Sequence, residues 1–380
     1  MVRDWHEVNW GELLEKGGIV PRGKKHRDKQ GRDTLNLFCA FDIETSTVWL
    51  NDDRSLYDVH SFMYSWAFQM EEVTICGREW PDFFSFLNEL YYASVHYQKK
   101  RNLALEPKYI IWVHNLSYEF SFLSGLYQFK NEDCFFRDIR KPIYCKMRNI
   151  FEFRCSYIQT NLSLSMLCKQ MGVPEKLSGQ KFNYDKIRFP WTELTDYEKE
   201  YIITDVESLV LAMKKRVAMT GDNLVTVPLT STGYVRRDTR KRYKKDPQAL
   251  KEFRRCRMSE ASFKVIRASQ FGGYTHASRF KHGKTIKGTI GHRDMRSFYP
   301  SIQRMRGKTV FPIGKFIKYA VKPDKGLTKR MFNDKAHCYI FVIWVKNVKL
   351  KPGIPFPTIS KYQAERNKTG TVTIVEDNGR

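Results

Sequence analysis

In the run FCAFDIETSTVWL, residues 38–50, Asp42 and Glu44 stand two apart in an otherwise apolar, β-prone segment. A strand's side-chain period is two, so both carboxylates leave one face while Phe41 and Ile43 leave the other. Like charges held that close repel unless a cation lies between them. The pair reads either as a solvated strand end or as part of a metal site for phosphate chemistry, and the second reading needs more carboxylates. Two further places offer them. Asn115 and Glu119 follow the strand-like YIIWVHN, one helical turn apart at a strand-to-helix junction, and Tyr201 and Asp205 are four apart and share a helix face. Asp205 lies amid Ile202, Ile203, Val206 and Leu209, where a carboxylate is either a helix acid at the edge of the apolar stripe or paired with a cation.

These residues must be positioned by an alternation of elements. LNLFCAFDIE, SFMYSWAFQ, EEVTIC and KYIIWVHN read as strands, and WPDFFSFLNELYYASVHYQ as an amphipathic helix. DYEKEYIITDVESLVLAMKKRVAM reads as a long helix, acidic early and basic late as the helix dipole favours. Together they predict a mixed α/β layer domain. A basic, Gly/Pro-punctuated lead-in loop is expected over 18–33. Residues 236–257 hold eleven Lys/Arg against three acids, with Pro247 interrupting any single helix, and read as a solvated face or as phosphate contacts. A new β-rich region is expected from KGTIGHRDMRSFYPSIQ onward, with Asp294 closing the strand KGTIGHRD.

Composition narrows the partner. Sixty-six Lys+Arg against 41 Asp+Glu give a net charge of +25. A balance of this kind points to a polyanion, and nucleic acid fits better than membrane because the basic residues are spread through aromatic-rich sequence. No apolar run approaches the roughly 20 residues a bilayer span needs. The N-terminus is too polar for a signal peptide, so a soluble, cytoplasmic protein is expected. The eight cysteines form no CxxC pair, which argues against a zinc site or a disulfide framework.

In this order, Asp42/Glu44, Asn115 with Glu119, and Tyr201/Asp205 resemble the three exonuclease motifs of family B DNA polymerases. The resemblance implies an RNase H-like 3′–5′ exonuclease domain in which Asp42, Glu44, Glu119 and Asp205 bind two Mg²⁺ or Mn²⁺ ions and Tyr201 orients the attacking water. It assigns His114, Asn115 and Phe122 to holding the 3′ end of a single strand, although Phe122 also reads as core. Ser156 and Tyr157 match a Ser-Leu-type strand-contacting element, and Lys181, with Lys176 as a competing choice, matches an auxiliary exonuclease lysine. The family usually has Asp where this chain has Glu119, which implies altered reach and a reduced or metal-shifted activity.

Further along, HRDMRSFYPSIQ resembles polymerase motif A, with Phe298 in place of Leu. That implies metal binding by Asp294 and nucleotide binding by Ser297, Phe298 and Tyr299. QFGGYTHASRF resembles the Tyr-x-Gly-Gly element that contacts template, with Gln270 in the Tyr position and Gly272 and Gly273 matching. Together with PGIPFPTISKYQAERNKTG, these features resemble the protein-primed branch of the family, whose partner is a terminal protein. The expected organisation is a lead-in over 1–35, the exonuclease domain over 36–220, a basic linker over 221–275 and an incomplete palm over 276–380. No motif B or motif C is found, so the expectation is that polymerisation requires a second polypeptide bearing them, or that the gene product is truncated. The alternatives are a free-standing exonuclease and a non-catalytic DNA-binding replication subunit.

Overall fold

A computed structural model describes residues 2–21, 31–49, 59–138, 141–175, 177 and 182–269. Beyond these it describes 284–289, 291, 298–304, 331, 333, 337 and 339–340. The chain divides into two compact units, Met1–Lys241 and Arg242–Arg380.

The first unit opens with α1 (Trp10–Gly17), capped by the Asn9 side chain, which accepts from the Glu12 amide. Trp10 and Leu14, one turn apart, are buried in the core. The segment expected to be only a lead-in therefore contributes a packed helix, because an i, i+4 apolar pair suffices to bury one face of a two-turn helix.

Next come β1 (Thr34–Trp49), β2 (Val59–Met70) and β3 (Val73–Gly77), then α2 (Trp80–Lys100), β4 (Lys108–Val113) and α3 (Ser117–Leu126). β5 (Cys134–Asp138), β6 (Lys141–Met147) and β7 (Phe151–Cys155) follow, and lead through α4 (Ser156–Thr160) and α5 (Leu164–Met171) to α6 (Asp196–Met219). Among the described residues the strands form one sheet in the order β3-β2-β1-β4-β7-β6-β5. β1 pairs antiparallel with β2 and parallel with β4, and β4 pairs parallel with β7. This is the mixed α/β layer expected of the first part of the chain.

Side-chain alternation along β1 divides the core in two. Leu37, Cys39, Phe41 and Ile43 join Trp10, Phe83, Phe86 and Leu90 on one side of the sheet. Ala40 joins Tyr64, Ala67, Ile110 and Trp112 on the other, packed against Val206, Leu209 and Met213 of α6. Asp42, in register with Ala40, therefore faces α6. The helix is fixed at its start by a capping box in which Thr195 accepts from the Glu198 amide and Glu198 accepts from the Thr195 amide. Lys214 holds it to the sheet through Glu71 at 2.6 Å.

Two buried glutamates on this side of the sheet carry charge. Glu152 on β7 accepts from Lys108 Nζ at 2.9 Å and from Arg154 Nε at 2.7 Å. Glu198 accepts from Arg188 and Lys186. Burial opposes both charges, but for Glu152 the cations of Arg154 and Lys108, and for Glu198 the Thr195 amide with Lys186 and Arg188, outweigh it and hold each carboxyl down to about 2. A pKa depressed by folding adds stability that is complete above the ordinary glutamate value of 4.5 and is lost as pH falls through 2. Thermal unfolding followed by circular dichroism is therefore expected to show a steep drop in melting temperature between pH 4.5 and 2 that is shallower in Glu198→Gln, which has lost one of the two titrating groups.

α7 (Ser231–Lys245) carries the chain out of the first unit, and α8 (Pro247–Arg255) and α9 (Glu260–Ser269) follow. The helix breaks at Pro247, as the sequence predicts, and Asp246 caps α8 by accepting from the Ala249 amide. The strand expected over 287–294 is not formed at its described residues, 287–289 and 291. Gly288 takes φ 143°, and two glycines within four residues weaken a strand there. Residues 298–304, expected as part of a β-rich region, form α10 (Phe298–Arg304). No described helix is long and apolar enough to cross a membrane.

Candidate metal centre and strand-binding site

Asp42 and Glu44 leave β1 on the α6 side, just before a register irregularity between Glu44 and Thr45. Asp205, buried on α6 one turn beyond Tyr201, meets them there. Ligand oxygens of Asp42, Glu44 and Asp205 lie within 4.8 Å of one another, a grouping that could hold a metal ion. All the donors are carboxylate oxygens, which suits a hard divalent cation such as Mg²⁺ or Mn²⁺.

Glu119 enters differently. It sits in the first turn of α3, is 2% exposed and hydrogen-bonds Asp42. Burial, and then the neighbouring Asp42 charge, push its carboxyl well above the ordinary range, which favours its protonated form. Its Oε2 is buried and has no hydrogen-bond partner among the described residues. The fourth carboxylate expected as a ligand thus lies against the three-way group without joining it. A buried acceptor left open beside three clustered acids fits a cation that would draw the proton off and take the oxygen as a ligand.

Asp42, Glu119 and Asp205 line a cavity of about 210 Å³ together with His114, Asn115 and Tyr118. Asn115 sits at the strand-to-helix junction with φ 69°, a left-handed conformation that Asn tolerates better than most residues. That turn aims His114 and Glu119 from adjoining elements into one space. His114 Nδ1 lies 3.0 Å from Ser156 Oγ, and the Tyr157 ring meets His114 edge to face at 6.0 Å. His114, which follows β4 directly and lines the cavity, is therefore held by residues of α4. Phe122, half-buried on α3, packs edge to face on Tyr118 at 5.5 Å, and the Tyr118 hydroxyl bonds Thr45.

Tyr201 is 3% exposed, and its hydroxyl lies 3.0 Å from that of Tyr184. Burial, the Tyr184 bond and the nearby charges of Asp205 and Glu44 all raise its pKa, so the phenol keeps its proton. Tyr118 and Tyr184 escape sequence reasoning. Tyr118 had a signal in its place directly before Glu119, whereas nothing in the spacing of Tyr184 marks it. Lys181, its competitor Lys176, Gly272, Gly273, Asp294 and Ser297 lie outside the described residues. Phe298 and Tyr299 open α10 and are both exposed.

The chain is similar to solved structures of Phi29 DNA polymerase. For the orthorhombic crystal form, the identity is 15% and the TM-score 0.47 over 75% of this chain and 48% of that one. For the complex with single-stranded DNA, they are 15% and 0.43 over 64% and 41%. For the complex with primer-template DNA and incoming nucleotide substrates, they are 14% and 0.42 over 65% and 41%. The chain thus spans less than half the length of each. No protein-family model matches the sequence. No curated protein matches it either.

Proposed function

We propose that the Asp42–Glu44–Asp205 centre is the 3′–5′ exonuclease site of a protein related to the protein-primed family B DNA polymerases. The observation that carries this reading is the convergence of three carboxylates from β1 and α6, with Glu119 buried against them. Asp42, Glu44, Asp205 and Glu119 would hold two Mg²⁺ or Mn²⁺ ions. Such a pair, when bound, supplies an ionised water as nucleophile and stabilises the leaving oxygen. With the ions bound, Glu119 would lose its proton to solvent and serve as a fourth anionic oxygen donor. Tyr201, whose hydroxyl stays protonated, donates to the attacking water and fixes its direction. His114, held by Ser156, and Asn115 bind the terminal nucleotide, while Phe122 and Tyr157 flank it with aromatic faces.

By sequence resemblance alone, the same reading covers Lys181 as an auxiliary lysine and Gly272 and Gly273 as template contacts. It also covers Asp294 with Ser297, Phe298 and Tyr299 as the beginning of a nucleotide-binding palm. It makes 36–220 the nuclease domain, 221–275 a basic linker and 276–380 the palm, with a terminal protein and a polypeptide bearing motifs B and C as partners.

With Mg²⁺ or Mn²⁺, a 5′-labelled single strand is expected to shorten one nucleotide at a time. A circular single strand is expected to survive, and its cleavage would overturn the exonuclease assignment. Tyr201→Phe keeps the ring and removes the donor. It is expected to lower the cleavage rate by about 10- to 100-fold, the scale of a misplaced reactant, with strand affinity unchanged. An equal loss of affinity would remove Tyr201 from the water-positioning role.

A further inference from the structure

The segment that leads into α6 is anchored at two points, and between them it presents aromatic surface that the anchoring does not use. The buried Arg188 guanidinium donates to Glu198 Oε1 at 2.8 and 2.6 Å and to the carbonyls of Asn183 and Lys186, both at 2.8 Å. Its amide donates to Ser46 Oγ at 2.8 Å. Arg78 secures the far side through Nη2, which donates to the carbonyls of Phe189 at 3.0 Å and Thr192 at 2.9 Å.

The tight turn Phe189-Pro190-Trp191-Thr192 is closed by the Thr192 amide donating to the Phe189 carbonyl and by the Phe189 amide donating to Thr192 Oγ1, both at 2.9 Å. This turn holds the Trp191 ring 5.0 Å from Phe189 and 3° from parallel. Phe189 in turn stacks on Phe62 of β2 at 5.2 Å and 12°. The three rings make a stair on a fixed backbone, and Trp191, its outermost step, is 79% exposed.

Leaving an indole in water forfeits hydrophobic stabilisation, so the arrangement is costly unless something covers it. Its position suggests what does. Phe62 pairs across the ladder with Ser46, which is two residues along β1 from Glu44, about 7 Å of strand. A polymer whose end lies among the carboxylates passes close to the stair. A flat, rigid, parallel ring suits a nucleobase, which stacks without regard to sequence. The net charge of +25 supplies the attraction for its phosphates.

We propose that Trp191 is a stacking platform for a nucleobase of the single strand whose 3′ end reaches the Asp42–Glu44–Asp205 centre. The proposal rests on the nuclease reading for the strand's path and adds a contact outside the cavity.

The test uses the full chain, a 5′-labelled fifteen-nucleotide oligothymidylate and EDTA to prevent cleavage, with affinity read by fluorescence anisotropy. Trp191→Ala is expected to weaken binding by about 5- to 150-fold, the effect of losing one base–aromatic stack, and Trp191→Phe to recover most of it. Walking one abasic position along the strand should find a place that costs the wild type a similar factor and costs Trp191→Ala almost nothing. Unchanged affinity in Trp191→Ala, or an equal abasic penalty in both proteins at every position, would overturn the platform. So would a change in sedimentation coefficient with strand affinity intact, which would mark the stair as a self-association surface. Cleavage with Mg²⁺ is measured alongside. Absent cleavage with the abasic coupling present would remove the nuclease reading and keep the stacking site, whereas cleavage without the coupling would remove the stacking site alone.

Discussion

Asp205→Asn is expected to lower metal-dependent strand cleavage by about 10³-fold or more and, with chelator present, to make the protein more stable than the wild type. The first effect follows from loss of a ligand where several kcal/mol of transition-state charge stabilisation is supplied, at about 1.4 kcal/mol per tenfold. The second follows from the same geometry. Three carboxylates with oxygens within 4.8 Å of one another repel, and Asp205 is the most buried of them. At an effective dielectric near 20, a pair of unit charges about 5 Å apart costs roughly 3 kcal/mol, which local protonation and solvent reduce. Asparagine keeps the shape and removes the charge, so a rise of a few degrees in melting temperature is expected in EDTA. Millimolar Mg²⁺ or Mn²⁺ should reverse the ranking, because only the wild type gains binding free energy on folding. A variant less stable than the wild type in chelator would mean that the acids are held apart by protein contacts and do not await a cation.

Glu152→Ala is expected to cost about 3–5 kcal/mol of folding stability, read as a lower denaturant midpoint. The Lys108, Glu152 and Arg154 side chains are only 8%, 5% and 7% exposed. Glu152 pairs with both of these cations, and Lys146 approaches it at 3.9 Å as well. Removing it leaves two cations buried across β4 and β7, and the Arg154 bond to the Leu224 carbonyl at 2.8 Å does not neutralise charge. Because His114 directly follows β4, strand cleavage should fall at temperatures where the variant begins to unfold and be near normal below them. A loss under about 1 kcal/mol would show that Lys108 and Arg154 reach solvent when the glutamate is gone.

What the sequence carries most clearly is face. The two-residue period of β1 put Asp42 and Glu44 on one side and Phe41 and Ile43 on the other, and the four-residue spacing on α6 put Tyr201 and Asp205 on one stripe. The sheet and long helices follow from the same periodicities. Reach is not written in spacing: Glu119 stands where a metal ligand is expected, yet its buried carboxyl lies against Asp42, outside the group formed by Asp42, Glu44 and Asp205. The contributions of Tyr118, Tyr184 and the Phe62–Phe189–Trp191 stair depend on contacts between residues far apart in the chain, which no local pattern encodes. The strand expected over 287–294 is not formed at its described residues, where Gly288 takes φ 143°.

The most direct test of the carboxylate centre compares wild type and Asp42→Ala on a 5′-labelled single strand, each with EDTA, Mg²⁺ and Mn²⁺. Stepwise loss from the 3′ end is expected for the wild type with either ion, none in EDTA, and none above background for a folded Asp42→Ala that still binds the strand. Equal cleavage by the two proteins, or no cleavage by a wild type that binds both strand and metal, would contradict the nuclease assignment.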